Sequence, residues 1–229
     1  DRTYGKIAHL PQMPTWNGEL YFEYHRGTLT TMAKNKRNNR KGEIMYTQLE
    51  TASCIAAAGD YEYPAEVIDR GWDVLLQNQF HDILPGTCIE QVYQQTDREY
   101  AQIAKSGGEA LTKAASAVAR NMDTGDRSIV VVNTQGYRRD DAVEVEGFGD
   151  KPVACVTDEH GADCPVQRTA DGGYVFFAEN VPPVGAKVFR YVLGEAPEKP
   201  QTEWTGVFEN DYYRVRFDDR MEMTSLFEK

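Results

Sequence analysis

The residues best suited to chemistry lie in one run, Asn78-Gln79-Phe80-His81-Asp82-Ile83-Leu84-Pro85-Gly86-Thr87. Here a histidine and an aspartate stand side by side where a helical pattern gives way to a Pro-Gly turn. Neutral imidazole is a good zinc ligand, and the adjacent carboxylate could bind a metal or a substrate hydroxyl. Phe80, Ile83 and Leu84 are expected to anchor the loop in the core and so hold His81 and Asp82 still. The spacing alone favours a blander arrangement, with His81 a hydrogen-bonded helix end and Asp82 a turn-former. Catalytic zinc usually takes three protein ligands, and one histidine does not make such a site.

A second candidate pair, His25 and Arg26, is expected at the end of a strand, a common place for site residues, although a domain-interface role fits as well. The basic run from Lys34 to Lys41 stands out in an acidic chain. It lacks interleaved aromatics, so it reads as cover for one helix, docking against another domain, rather than as a nucleic-acid patch. Trp16, Trp72 and Trp204 could stack on sugars, but Trp72 falls on the apolar face of a helix. His160 lies in a turn-rich segment and is expected to be exposed.

The elements that must position these residues change character near residue 125. Residues 18–25 alternate polar and apolar and read as a strand ending at Gly27, with Thr28 able to cap a helix. A first helix is expected over 29–57, ended by Gly59-Asp60. Pro64 opens a second, whose apolar face is Ile68, Trp72, Leu75, Leu76 and Phe80. Thr87-Cys88-Ile89-Glu90 has the form of a capping box, and a third helix follows to about residue 121. Gly107-Gly108 is expected to bend or weaken it. After Ser128 the candidate strands are 129–133, 142–146, 152–157, 165–169, 174–178, 187–193 and 208–217, with 196–201 a linker. The fold class is therefore α+β: an antiparallel three-helix bundle followed by an antiparallel β-sandwich domain.

Composition narrows the function classes. The chain has 229 residues, 41% hydrophobic and 27% charged, an ordinary globular balance. A net charge of -11 argues against nucleic-acid partners. No apolar run approaches the ~20 residues of a membrane span. The start lacks a secretory pattern and an initiator Met, so a piece of a longer protein is expected. The cysteines, Cys54, Cys88, Cys155 and Cys164, form no CxxC pair; they are expected to be reduced, hence cytoplasmic, although Cys155 and Cys164 could meet across a hairpin.

The run 78–87 resembles the motif by which bacterial glycoside hydrolase family 38 α-mannosidases supply a histidine to the catalytic zinc. Gly18-Glu19-Leu20-Tyr21-Phe22-Glu23-Tyr24-His25-Arg26-Gly27-Thr28, followed by Lys36-Arg37-Asn38-Asn39-Arg40, resembles the segment preceding that motif. Ile129-Val130-Val131-Val132-Asn133 and Phe208-Glu209-Asn210-Asp211-Tyr212-Tyr213-Arg214-Val215 resemble the β-region of the same family. The likeness spans nearly the whole chain, in order.

It implies metal-dependent, retaining hydrolysis of terminal α-mannosides. His81 would be one ligand of a Zn2+ ion, and Asp82 would hydrogen-bond the mannose in the first subsite. His25 and Arg26 are kept as substrate-binding candidates, since the metal ligand set is complete without His25. The family's remaining ligands, nucleophile and general acid lie in a preceding β/α domain. None is assignable here: the second residue after each of the four histidines is Pro11, Gly27, Ile83 and Ala162, so no His-x-Asp motif exists. The implied division is 1–27, the end of the catalytic domain; 28–122, the three-helix middle domain; 123–196, a β-sandwich; and 197–229, a linker and the start of a further β-domain. The partner is an α-mannoside oligosaccharide, with no nucleic acid, no membrane and a possible homo-oligomer. The segment alone is expected to be inactive. The rival reading is a non-catalytic carbohydrate-binding or scaffolding module, and a third is an oligomerisation module.

Overall fold

The structure, a computed structural model, describes residues 2–20, 23–146, 148, 152–195 and 204–229. A short α1 (Arg2–Ile7) and a 3-10 helix (Glu23–Leu29) precede three long helices, α2 (Ala33–Ala56), α3 (Ala65–Asn78) and α4 (Glu90–Arg120). These pack around Tyr46, Leu49, Ile68, Leu75, Tyr100 and Ile103. The buried stripe of α2 runs Asn35, Asn39, Gly42, Tyr46, Leu49, Ala52 and Ala56, a spacing of three and four that keeps one face inward. Its C-terminal half is apolar, whereas its N-terminal half is carboxamide.

Glycines let the helices approach closely. A Cβ at Gly71 of α3 would stand 1.9 Å from Tyr46 Cε1, and one at Gly107 of α4 would stand 3.0 Å from Tyr46 Cζ. The ring of Tyr46 is thus received by two backbones, and its hydroxyl donates to the Ile103 carbonyl at 3.0 Å. The helix runs unbroken through Gly107-Gly108, from Glu90 to Arg120, and Gly107 serves close packing.

Among the described residues ten strands follow: β1 (Ser128–Asn133), β2 (Arg139–Val145), β3 (Val153–Thr157), β4 (Asp163–Cys164), β5 (Val166–Arg168), β6 (Tyr174–Val181), β7 (Gly185–Leu193), β8 (Val207–Glu209), β9 (Tyr213–Phe217) and β10 (Met223–Glu228). They form antiparallel sheets of order β1-β7-β3-β4, β2-β6-β5 and β10-β9-β8. The first two share one core, in which Phe176 of β6 meets Phe189 of β7 at 5.1 Å between centroids. A smaller cluster, Ala56, Ala117 and Val118 against Val132 and Ala186, joins the helices to the first sheet. The α+β class is as expected, helices first and antiparallel sheets after.

Several expected elements differ. The strand over 18–25 does not form in its described part; residues 21–22 lie outside the described residues, and 23–29 is the 3-10 helix. Thr28 Oγ1 donates to the His25 carbonyl, and the amides of Thr30 and Thr31 both reach Gly27 O, which curls the segment. The first helix begins at Ala33, not residue 29, because Met32 adopts left-handed φ 53°. Thr87 does not cap α4: its hydroxyl turns back to Asp82 O, and Ile89 holds the cap position without a side-chain bond. The strand over 208–217 is a hairpin instead, because Asn210 Oδ1 accepts from the amides of Tyr212 and Tyr213 and closes a turn. Cys155 and Cys164 are both free, as are Cys54 and Cys88; Cys164 pairs in register with Val156, so Cys155 alternates to the other face. The expected linker 196–201 lies outside the described residues.

Candidate metal and substrate turn

The run 78–87 folds as the end of α3 and a multiple turn leading towards α4. Asn78 is buried and donates from Nδ2 to Val74 O and to Glu99 Oε2 of α4, each at 2.9 Å. Gln79 donates to Asn39 Oδ1 at 3.1 Å and Glu43 Oε1 at 2.9 Å, both on α2. Backbone bonds from Ile83 and Leu84 N to Phe80 O, and from Thr87 N to Asp82 O, shape the turn. Gly86 completes it at φ +98°, lying so close to Thr31 that a Cβ would meet the Thr31 carbonyl oxygen at 2.9 Å.

Polar side chains from both neighbouring helices hold this turn. Asn35 Nδ2 donates to Ile83 O at 3.1 Å. Lys36 Nζ donates to Thr31 O at 2.5 Å, Leu84 O at 2.8 Å and Pro85 O at 3.2 Å. The Tyr93 hydroxyl of α4 accepts from Cys88 N at 3.0 Å and lies 3.3 Å from Asp82 O, to which it donates. Burial, with Glu43 and Glu99 nearby, pushes the Tyr100 phenol up to about 12, beside the carboxylates that bind Asn78 and Gln79.

The anchoring differs from expectation. Phe80 is 52% exposed and does not enter the core. Its ring lies instead against the His81 imidazole, 4.2 Å between centroids. Ile83 and Leu84 are half-buried, and carbonyls, carboxamides and one ammonium add polar bonds that hold the turn. The signal was present in the sequence: Asn35, Asn39 and Glu43 recur every four residues on one face of α2.

Held this way, His81 and Asp82 face outward, with side chains 79% and 54% exposed. Nε2 of His81 lies 3.7 Å from Asp82 Oδ2, so an imidazole nitrogen and a carboxylate oxygen present themselves together. Both donor types suit zinc, so the pair fits part of a metal shell. Among the described residues no three His, Cys, Asp or Glu side chains converge.

His25 and Arg26 lie exposed in the 3-10 helix, not at a strand end. Their segment and the 81–87 turn meet where Gly86 packs on Thr31 and Lys36 bonds both. A hollow of about 340 Å³ lies between them, lined by Thr28, Lys36, Asn39, Arg40, Leu84 and Pro85 among others. A larger one, about 650 Å³, sits between α4 and β1, lined by Ser116 and Arg127 among others and not by His81. The basic run is divided: Lys34 pairs with Asp97 at 2.7 Å, Arg40 with Glu43 at 2.8 Å, and Lys36 turns to carbonyls. Trp72 packs against Tyr46 and donates to Glu50, whereas Trp16 and Trp204 are exposed. His160 is exposed in the β3–β4 turn, as expected. No described helix is long and apolar enough to cross a membrane.

Comparison with known proteins gives these features a family. Residues 23–118 match the family described as the alpha mannosidase middle domain. The chain is 30% identical over 223 residues to human alpha-mannosidase 2C1, covering 94% of this chain and 19% of that protein. It is 46% identical over 84 residues to an alpha-mannosidase of Saccharomyces cerevisiae, covering 35% of this chain and 8% of that one. In fold it is similar to an Enterococcus faecalis protein of glycosyl hydrolase family 38, at TM-score 0.67 and 18% identity, over 99% of this chain and 33% of that one. An alpha-mannosidase from E. faecalis V583 matches at TM-score 0.65 and 18% identity, over 90% of this chain and 29% of that one. Residues 23–118 thus carry an α-mannosidase middle domain within a chain that is similar to α-mannosidases along nearly its whole length, and the chain spans about a fifth of the length of the first curated relative it matches.

Proposed function

We propose that the gene product carrying this chain hydrolyses terminal α-linked mannose from oligosaccharides, with a divalent metal, zinc, and with retention at the anomeric carbon. The observation that carries the proposal is the exposed His81–Asp82 pair, held by buried polar bonds within the segment that matches the middle domain. His81 would ligate the ion through an imidazole nitrogen. When bound, the ion would supply a positive centre that orients sugar hydroxyls. Asp82, as an exposed carboxylate, would accept hydrogen bonds from mannose hydroxyls, with His25 and Arg26 as further substrate contacts. Tyr93 bonds the Asp82 carbonyl directly, and the Asn78, Gln79 and Asn35 bonds fix the residues on either side of the pair.

Retention requires two carboxyl groups ~5 Å apart across the scissile bond. We assign that pair, and the other metal ligands, to a preceding β/α domain; residues 1–27 would end it, 28–122 form the middle domain, and 123–196 and 197–229 contribute to β-domains. Four free cysteines agree with a reducing cytoplasmic compartment. The test is hydrolysis of an aryl α-mannoside by the gene product before and after chelation, with the product's anomer read by NMR. Chelator-sensitive release of α-mannose supports the proposal. Chelator-insensitive turnover, or β-mannose as first product, contradicts it.

A further inference from the structure

We infer that Lys36 is a positioning residue: its ammonium ties the 28–31 segment to the 81–87 turn and thereby sets how firmly His81 is presented to metal. An ammonium has three protons to donate. Lys36 Nζ meets three carbonyl oxygens, of Thr31, Leu84 and Pro85, at 2.5, 2.8 and 3.2 Å. Thr31 belongs to the segment that carries His25 and Arg26; Leu84 and Pro85 follow His81 and Asp82 by two to four residues. One charge therefore bridges both candidate segments.

A second contact lies at the same seam. Gly86 presses on the Thr31 backbone with no room for a Cβ. Removing the ammonium would leave three carbonyls facing one another across that seam, like dipole ends without a counter-charge. A ligand histidine is only as well placed as the backbone beneath it, and partners that orient metal ligands typically change metal affinity 10–100-fold. Lys36 reaches the turn's carbonyls rather than the imidazole itself, which places its effect at the low end of that range. The inference rests on the zinc reading of His81 above.

The experiment uses the full gene product with Lys36→Met, which keeps the aliphatic stem but no donors, and Lys36→Arg, which keeps charge and donors in a planar fork. Zinc affinity is read by chelator competition, and amide exchange is read in the zinc-free protein. Lys36→Met is expected to weaken zinc binding about tenfold and to speed exchange of the Gly86 and Thr87 amides, while exchange within α4 is unchanged; Lys36→Arg is expected to fall between it and wild type. If Lys36→Met does not fold, Lys36→Arg carries the same readouts. Zinc affinity equal to wild type in the folded variant, with zinc lost in His81→Ala, overturns the role of Lys36 and leaves the metal site standing. Zinc affinity unchanged in His81→Ala overturns both.

Discussion

Substituting Gly71 by alanine tests the packing that sets the helices, and with them the site. A methyl there would lie 1.9, 2.0 and 2.5 Å from Cε1, Cζ and the hydroxyl of Tyr46. Carbon contacts are comfortable at ~3.5–4.0 Å, so α3 or the ring must move by about 1.5–2 Å. The ring has little room to retreat, since Gly107 of α4 already approaches its far side at 3.0 Å to a virtual Cβ. Displacing it also breaks the bond from its hydroxyl to Ile103 O. Overpacking of this kind costs about 1–3 kcal/mol, and the lost buried bond adds about 1 kcal/mol. Better helix propensity returns about 1 kcal/mol. The net is a loss of about 1–3 kcal/mol. Gly108→Ala is the control: it gains the same propensity with nothing within 4 Å of its methyl. Urea unfolding of the gene product, followed by amide exchange in α2–α4, should show Gly71→Ala less stable and Gly108→Ala equal to or more stable than wild type. Equal stability of the two variants would refute the reasoning.

Three further outcomes follow from particular contacts. Asn78→Ala leaves Glu99 without its buried donor at 2.9 Å, and should destabilise the helices by about 1–3 kcal/mol in denaturant titration. Phe80→Ala should change stability by less than about 0.5 kcal/mol, because the ring is largely exposed, yet alter the NMR shifts of the His81 ring protons through loss of ring current. Glu209 accepts from Arg214 and from Lys229, which together hold its carboxyl at about 2, below its ordinary 4.5. A depressed carboxyl contributes stability above its unfolded pKa and loses it as pH falls through the folded one. Amide protection in the β8–β9–β10 sheet should therefore weaken between about pH 4.5 and 2, and Glu209→Gln should remove that dependence.

Much of this architecture was legible from periodicity. Ile68, Leu75, Tyr100 and Ile103 repeat at helical spacing and form the core, and the short β-branched run Ile129 to Val132 forms a strand. Boundaries set by long-range or hydroxyl contacts were not legible. Residues 18–25 have strand-like alternation, but just beyond them Thr28, Thr30 and Thr31 bond locally to the chain behind them. The Thr87–Glu90 pattern failed because Asp82 O offered the hydroxyl a nearer partner. At the site, the sequence located His81 and Asp82 as neighbours on a turn. It missed most of what holds the turn, because Asn35, Lys36 and Tyr93 reach it from other helices; the recurrence of Asn35, Asn39 and Glu43 marks a polar face on α2 but does not name the carbonyls it meets.

The zinc reading of His81 ties the turn to α-mannoside hydrolysis. Its most direct test is bound zinc per molecule in the purified gene product, wild type against His81→Ala, with aryl α-mannoside turnover measured on the same samples. Wild type should hold zinc and turn over, and His81→Ala should lose both while keeping its fold by circular dichroism. A folded His81→Ala protein that keeps its zinc and its turnover would contradict the account.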